Sequence, residues 1–206
     1  MNNPGPTSPV SSRRWRMSAV LAVLAVAGLT LAGCAAPAPE AAGPAPADEI
    51  LARYDLAGLD VGEVIERLDA MPIEDRPTDL LASVQPDSLV LRDDTGRETR
   101  MPLPADEVYI SVAPFREQTH ECHFHSLTTC VGELADTELR VILTGDDGEV
   151  LIDETRRTYD NGFAGLWVPR GVSATLTIEH AGRTGSAPIS TTSPDDPTCI
   201  TNLQLV

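Results

Sequence analysis

The stretch that decides the fold is residues 172–179, Val-Ser-Ala-Thr-Leu-Thr-Ile-Glu. Its apolar side chains alternate with serine, threonine and glutamate, so all of them face one side of an extended chain. This period of two is typical of a strand with one buried and one solvated face, as in antiparallel sheets. The same period recurs outward from it, in residues 139–143 and 108–112.

Turn residues separate these strand patterns at short intervals. Asp146-Asp147-Gly148, Asn161-Gly162 and Arg170-Gly171 are turn signals, because glycine, asparagine and aspartate tolerate left-handed backbone conformations. No helical period lies between them, which indicates an antiparallel β-sandwich of about seven strands over residues 105–206. We predict that a strand over residues 199–205 completes this domain.

The preceding region, residues 49–104, contains a helical period. Apolar residues at spacings of three and four follow Asp60, a good N-cap, and the pattern ends before Pro72. We predict an amphipathic helix here, whose apolar residues are Val61, Val64, Ile65 and Leu68. A second short helix is predicted to begin at Thr78 and to end before Pro86, with apolar residues Leu80, Leu81 and Val84.

A hairpin signal completes this N-terminal region. Leu89 and Leu91 alternate with polar or smaller neighbours and lead into Asp94-Thr95-Gly96, a turn sequence. The predicted fold class is therefore α+β and mostly β. A small helical and hairpin domain over residues 49–104 precedes an antiparallel β-sandwich over residues 105–206.

The first 33 residues are typical of an export signal. Arg13, Arg14 and Arg16 precede an uncharged apolar stretch that is too short to span a membrane, and small residues follow it. The segment Leu-Ala-Gly-Cys, which ends at Cys34, resembles a bacterial lipobox. The resemblance implies a lipoprotein signal peptide over residues 1–33, lipidation of Cys34, and a membrane as partner through the lipid anchor.

Residues 34–48 join the lipidation site to the fold. They are rich in alanine and contain Pro37, Pro39, Pro44 and Pro46, a composition that disfavours both helix and core burial. We predict an extended tether that holds the domain away from the outer face of the cytoplasmic membrane, in the cell envelope.

The charge of the chain excludes several functions. All 15 basic residues are arginine, the formal net charge is −16, and removal of residues 1–33 would make it −19 because they hold three arginines and no acid. A chain without lysine has no Schiff-base or phosphate-loop lysine. An acidic protein also repels a phosphate backbone, so we expect no nucleic acid among its partners.

Residues 120–130, His-Glu-Cys-His-Phe-His-Ser-Leu-Thr-Thr-Cys, concentrate the residues that carry chemistry. They hold three of the four histidines and two of the three cysteines that remain after Cys34. Thiolates and neutral imidazoles on one short segment are the donors of metal sites. We expect Cys199, in the predicted final strand, to supply a third sulfur from a neighbouring strand. His123 has candidate ligands on both sides and is expected to point away from them, because successive residues of an extended chain face opposite sides.

The cysteine count supports a metal site without excluding a structural one. Three cysteines cannot all pair within one exported chain, so one thiol is left over. The alternative is a structural disulfide, either Cys122 with Cys130 or one of them with Cys199, plus an idle buried thiol. The Cys-x7-Cys spacing departs from zinc knuckles, and two or three thiolates with an imidazole suit Cu(I) at least as well as zinc.

Several stretches resemble the CueP family of periplasmic copper-binding proteins. They are residues 109–115, the segment 118–134 around the cysteine and histidine cluster, residues 158–163, and 193–205. The resemblance is strongest from residue 106 to the C-terminus. It implies copper as the metal, with Cys122, Cys130 and Cys199 as functional sulfurs, His125 as the best imidazole ligand, and His120 as the second.

The resemblance also implies a function: holding Cu(I) for copper resistance, or delivering it to an envelope enzyme such as superoxide dismutase. The lipobox departs from the soluble members of the family, which favours sequestration or transfer to an acceptor protein on the same membrane face. Two alternatives stay open, a thiol-dependent Cu(II) reductase and a surface lipoprotein stapled by a structural disulfide. Catalysis beyond such metal reduction has no supporting motif, and a homodimer is also open.

Overall fold

The structure, a computed structural model, describes residues 46–206, and side chains from residue 49 onward. The predicted signal peptide, Cys34 and most of the predicted tether lie outside the described residues. The helical elements are α1 Pro46–Arg53, α2 Val61–Asp69 and a 3-10 turn at Ile73–Asp75. No helix in the described range is both long and apolar enough to cross a membrane.

The strands in the described part of the chain are β1 Leu80–Val84, β2 Ser88–Asp93, β3 Glu98–Pro102, β4 Glu107–Val112, β5 His125–Ser126, β6 Glu138–Gly145, β7 Val150–Arg157, β8 Ala164–Pro169, β9 Ser173–His180, β10 Arg183–Ser190 and β11 Cys199–Ile200. They form three sheets. Sheet 1 has the order β3-β2-β1-β5, sheet 2 the order β11-β4-β8, and sheet 3 the order β10-β9-β6-β7.

Strand β4 lies between two hydrophobic cores. Val108, Ile110 and Val112 pack in the core that sheets 2 and 3 share. Tyr109, on the opposite face, packs in a second core with helix α2 and sheet 1. The predicted α+β class, mostly β with antiparallel sheets and a small helical segment, is confirmed.

All but the first residue of the alternating stretch 172–179 lie in strand β9. Its burial alternates as predicted, because Ala174, Leu176 and Ile178 lie in the sandwich core while the residues between them are exposed or half-buried. The strand is central in sheet 3, where it pairs with β6 on one side and β10 on the other.

Helix α2 forms where the apolar period predicts it. Asp60 is the N-cap and makes a capping box: its carboxylate accepts from the Glu63 amide, and the Glu63 carboxylate accepts from the Asp60 amide, each at 2.9 Å. The buried face contains the predicted Val64, Ile65 and Leu68. It also contains an acid that the apolar pattern does not include, Asp69.

The predicted second helix, from Thr78 to Pro86, is wrong. These residues form strand β1, whose buried residues are Leu80, Ala82 and Val84, a period of two. A segment this short cannot sustain a helix by itself. Pairing with β2 on one side and β5 on the other supplies its backbone hydrogen bonds instead.

The predicted final strand is shorter than residues 199–205. Only Cys199–Ile200 form a strand, and β11 runs parallel to β4, unlike the antiparallel pairs elsewhere in the described sheets. An isolated parallel bridge then joins Phe115 to Gln204. The C-terminal segment therefore follows β4 and the residues after it, which carries Cys199 to the predicted cluster.

Strand pairing crosses residue 104, where the sequence places a domain boundary. Strand β5, which contains His125, pairs with β1 and so joins sheet 1. The described residues, 46–206, all lie in one compact unit. The segment with the candidate ligands is consequently held by elements from both predicted regions.

The hairpin between β2 and β3 provides a test of stability. The buried Asp93 carboxylate accepts hydrogen bonds from the amide and hydroxyl of Thr95 and from the amide and Nε of Arg97. The Thr95 hydrogen bonds, followed by those of Arg97, lower the pKa of Asp93 from 3.8 to about 2. Ionised Asp93 therefore stabilises the folded state above pH 3.8, and this contribution disappears as the pH falls towards 2.

We expect Asp93→Asn to lower the midpoint of thermal unfolding by a few degrees at neutral pH. The difference from the unmodified protein should shrink between pH 3.8 and about 2, because protonation removes the same charge. Thermal unfolding followed by circular dichroism over this pH range measures it. Asp75→Asn, at an exposed aspartate, is the matched control and should show no such convergence. A pH-independent effect of Asp93→Asn would contradict the argument.

Candidate metal centre

Three segments bring the candidate ligands together. Thr198 and Cys199 donate their amides to the carbonyl of His123 at 2.9 and 3.1 Å, and the His125 amide donates to the Thr198 hydroxyl at 3.0 Å. Cys130 follows β5 in a turn closed by its amide, which donates to the Ser126 carbonyl at 3.1 Å. These bonds fix the backbone of Cys130, Cys199 and His125, and that of His123, the residue after Cys122.

The three sulfurs lie together, and two of them are bonded. Cys122 and Cys199 form a disulfide, with their Cα atoms 5.7 Å apart. Cys130 is free and buried, and its Sγ lies 3.5 Å from Sγ of Cys122. The sequence left the pairing open among three cysteines, and this arrangement is one of its alternatives. Two of the three sulfurs can become thiolate ligands only after the disulfide is reduced.

His125 is completely buried, and its two ring nitrogens face different partners. Nδ1 lies 3.8 Å from Sγ of Cys199, on the side of the sulfurs. Nε2 lies 3.0 Å from Oδ1 of Asp69, at the end of helix α2. A metal-binding histidine usually has its second nitrogen bonded to a carboxylate or carbonyl, which fixes the orientation of the ring. His125 has this arrangement, with Nδ1 left facing the cysteines.

Asp69 is held by donors from several elements. Its Oδ2 accepts from the Tyr109 hydroxyl at 2.7 Å and from the Ser111 hydroxyl at 3.2 Å, both on β4. Its Oδ1 accepts from Nδ2 of Asn161 at 2.8 Å. A buried carboxylate is costly unless it is paired and hydrogen-bonded. This network satisfies that condition and leaves Asp69 fixed opposite His125.

The network sets the charges of the site. Burial lowers the pKa of His125, but the opposing charge and hydrogen bond of Asp69 outweigh it and raise the pKa to about 9. Burial raises the pKa of Asp69, yet the charge of His125 and the hydrogen bonds lower it overall. For Cys130, burial raises the pKa of the thiol, but the hydrogen bond and charge of His125 lower it by more, so the net shift is downward. The geometry therefore shifts Cys130 towards the thiolate and His125 towards the imidazolium.

A buried arginine adds a second positive charge. Nη1 of Arg76 donates to the carbonyl of Cys130 at 2.8 Å. Its Nε and Nη2 are buried and have no acceptor among the described residues. Arg76 and His125 can thus balance Asp69 and a Cys130 thiolate, which reduces the cost of holding an anionic sulfur in the interior.

The site adjoins a surface cavity of about 730 Å³. His120, Cys122, His123 and Cys199 are among the residues that line it. On the inner side, the buried ring of Phe163 packs against the His125 ring, with centroids 4.5 Å apart. The sulfurs therefore lie between a surface cavity and the aromatic ring of Phe163.

Comparison with known proteins assigns the family. Residues 63–204 match the family model described as periplasmic copper-binding protein CueP. The chain belongs to the CueP family. Members of this family are periplasmic copper-binding proteins. Among solved structures, this chain is similar to one titled "Crystal Structure of S.CueP", with 34% sequence identity and a TM-score of 0.74, over 79% of this chain and 99% of that chain. No curated protein matches it.

The sequence predicts five metal-binding residues in this CueP family member, and the structure brings them together in two overlapping groups. His120, Cys122 and Cys130 form one, and His125, Cys130 and Cys199 form the other. Within each group the candidate ligand atoms all lie within 4.8 Å of one another. His123, as expected, turns away, and its Nε2 lies 3.0 Å from the carbonyl of Asp195.

The residues that hold His125 are not evident from the sequence pattern. One signal was present: Asp69 lies four residues after Ile65, so it falls on the buried stripe of helix α2, where an acid needs an explanation. The Asn161-Gly162 pattern predicts only a turn, although the side chain of Asn161 is fully buried. Tyr109 and Ser111 alternate with the apolar residues of β4, and nothing in that alternation shows that their face is also buried.

We expect Asp69→Asn to lower the pKa of His125 from about 9, because the loss of the carboxylate leaves only Cys130 to oppose the effect of burial. A nuclear magnetic resonance titration of the imidazole in the metal-free protein measures this. Tyr109→Phe removes one hydrogen bond from Asp69 but keeps its charge, so His125 should still titrate above its ordinary value of 6.5. If His125 titrates near 9 in Asp69→Asn, the carboxylate is not the cause.

Proposed function

We propose that the reduced protein holds Cu(I) through Cys122, Cys130 and Cys199, assisted by His125, as a copper store or donor of the envelope. The observation that supports this is that Cys130, Cys199 and the buried His125 place their candidate ligand atoms within 4.8 Å of one another, with Cys122 bonded to Cys199 and its Sγ 3.5 Å from Sγ of Cys130. Thiolate sulfur is soft and selects Cu(I), while the imidazole also suits Zn(II). The donor set thus fits the copper of the CueP family.

The distances also fit a single small ion. A metal–sulfur bond of about 2.3 Å, as found for zinc, places two sulfurs of one ion at most about 4.6 Å apart. Sγ of Cys122 and Sγ of Cys130 are separated by 3.5 Å. Asp69 also orients the ligand set, because it holds Nε2 of His125 and turns Nδ1 towards the sulfurs, where the binding of a metal would displace the Nδ1 proton.

Competition against a chelator that becomes coloured when it binds Cu(I), under anaerobic and reducing conditions, tests the proposal. We expect the triple variant Cys122→Ser, Cys130→Ser, Cys199→Ser to bind Cu(I) more than about 100-fold more weakly, because it loses every sulfur ligand. Substitution of a residue that only orients a ligand typically costs about 10- to 100-fold in affinity. His180→Gln, which changes a histidine in β9, is the control and should bind as the unmodified protein does. Equal competition by the triple variant would disprove the sulfur site. A parallel zinc competition should show weaker retention of zinc.

A second function, Cu(II) reduction, is favoured by the Cys122–Cys199 disulfide next to the free Cys130. In this reaction two Cu(II) ions each gain one electron, and the thiols of Cys122 and Cys199 lose two electrons and two protons to form the disulfide. Repeated turnover then needs an external thiol reductant. The measurement is the amount of Cu(I) formed per protein with and without added thiol. If the same fixed amount of Cu(I) forms per protein with and without added thiol, the catalytic role is rejected. If the protein binds no metal at all, a structural disulfide is favoured.

The location of the protein is a separate proposal. We propose that Cys34 carries a lipid anchor and that the proline- and alanine-rich tether holds the copper site near the membrane, within reach of an acceptor such as an envelope superoxide dismutase. Acyl chains contribute about 0.8 kcal/mol for each buried methylene, which is enough for stable attachment when two or more chains are present.

We expect Cys34→Ala to move the protein from the membrane fraction to the soluble fraction of its own cells. Fractionation followed by immunoblotting measures this. Cys130→Ser, which removes a cysteine of the copper site, is the control and should stay with the membrane. Retention of the Cys34 variant in the membrane fraction would show that the lipid is not what attaches it.

A further inference from the structure

Two groups of three candidate ligands overlap at Cys130. The outer group is His120, Cys122 and Cys130, and the inner group is His125, Cys130 and Cys199. We propose that they are two successive positions for Cu(I): an outer position that exchanges copper with its surroundings and an inner position that retains it. Cys130 is the ligand common to both. This inference rests on the proposed function, because both positions need reduced thiols.

The two positions differ in exposure. His120 is exposed and lines two surface cavities, the one of about 730 Å³ beside Cys122 and another of about 290 Å³ on the side of Glu133. In the inner group, His125 is fully buried and Cys130 and Cys199 are 9% and 3% exposed. An incoming chelator or acceptor can therefore reach the imidazole of the outer group, but not that of the inner group.

The geometry allows copper to move between the positions without becoming free. Sγ of Cys122 and Sγ of Cys130 are 3.5 Å apart, and Nδ1 of His125 is 3.8 Å from Sγ of Cys199. If Cys130 stays bound, the ion exchanges one thiolate and one imidazole for another thiolate and another imidazole. The oxidation state of Cu(I) does not change, so the transfer needs neither oxidant nor reductant.

The outer imidazole is held in place although it is exposed. Oε2 of Glu133 accepts the amides of residues 116, 117 and 118 at 2.9, 2.9 and 3.0 Å, which pins the loop before His120. The hydroxyl of Thr119 donates to the carbonyl of Thr201 at 2.5 Å, which ties the loop to the C-terminal segment. The ring of Phe163 lies against His120 as well as His125, with centroids 6.2 Å apart for His120. A free surface histidine would have none of these restraints.

The prediction separates the rate of exchange from affinity. The reduced full chain, loaded with one Cu(I), is mixed with excess bicinchoninate, and copper release is followed by stopped-flow absorbance; equilibrium affinity is measured by competition. We expect His120→Gln to slow both uptake and release by about tenfold while leaving affinity nearly unchanged, since a ligand used only during transfer affects the barrier. His125→Gln should instead lower the affinity by about 10- to 100-fold and speed release.

One further test variant, Glu133→Gln, and two controls, His180→Gln and Glu117→Gln, accompany these variants. His180→Gln changes a histidine outside the site and should alter neither rate nor affinity. Glu133→Gln weakens the restraint on the loop and should slow exchange as His120→Gln does. Glu117→Gln makes the same charge change in the same loop but leaves the Glu133 hydrogen bonds intact, so exchange should remain as in the unmodified protein.

X-ray absorption of the Cu(I) form provides a second measurement that does not depend on kinetics. Cys199→Ser leaves the outer group intact, so we expect two sulfur ligands and one nitrogen ligand. Adding His120→Gln to Cys199→Ser should remove the nitrogen. Thermal unfolding of each variant shows that the compared proteins are folded.

The outcomes distinguish the two proposals. Unchanged exchange in His120→Gln, or an equal loss of affinity in His120→Gln and His125→Gln, would overturn the two-position arrangement and indicate a single site. A nitrogen ligand that persists in the double variant would also overturn it. The proposed function would survive each of these results, because it fails only if the triple cysteine variant binds Cu(I) as well as the unmodified protein does.

Discussion

The interaction on which the rest of the structure depends is the buried pair of Asp69 and His125. Its two side chains are completely excluded from solvent and come from elements far apart in the chain, helix α2 and strand β5. A charged carboxylate in this position would be strongly destabilising if any of its donors were missing. The helix, strand β4, strand β5 and the turn at Asn161 must therefore all be in place together. The pair makes the fold and the candidate metal site of this CueP family member one cooperative unit.

Strand β4 contributes both to the hydrophobic cores of the fold and to the candidate metal site. Its two faces contribute to two different cores, so it carries alternating apolar residues towards the sandwich and Tyr109 and Ser111 towards Asp69. Its edge then receives β11, which places Cys199 opposite Ser111. The sulfur site is consequently built at the end of a strand that is rigid on both faces, and the preorganisation of ligands on such an element is what a metal site requires.

The parts of the structure that follow from local pattern could be predicted from the sequence. The alternation in residues 172–179 and the capped apolar stripe after Asp60 specify β9 and α2 without reference to distant residues. Residues 80–84 could not be assigned in this way, because two strands from elsewhere in the chain provide their hydrogen bonds. The cysteine and histidine cluster was visible in the sequence, but the pairing of Cys122 with Cys199 depends on where the C-terminal segment crosses β4. The role of Asp69 is of the same kind, since its partners are 40 or more residues away.

The bond between Cys122 and Cys199 closes a loop of 77 residues, and a metal bound to the same sulfurs would close the same loop. In the chain-entropy view, such a cross-link stabilises a fold by about 4 kcal/mol through its effect on the unfolded chain. The oxidised form is thus cross-linked and a metal-bound form would be too, whereas the reduced, metal-free form is not. That third form would therefore hold its C-terminal segment least firmly against unfolding.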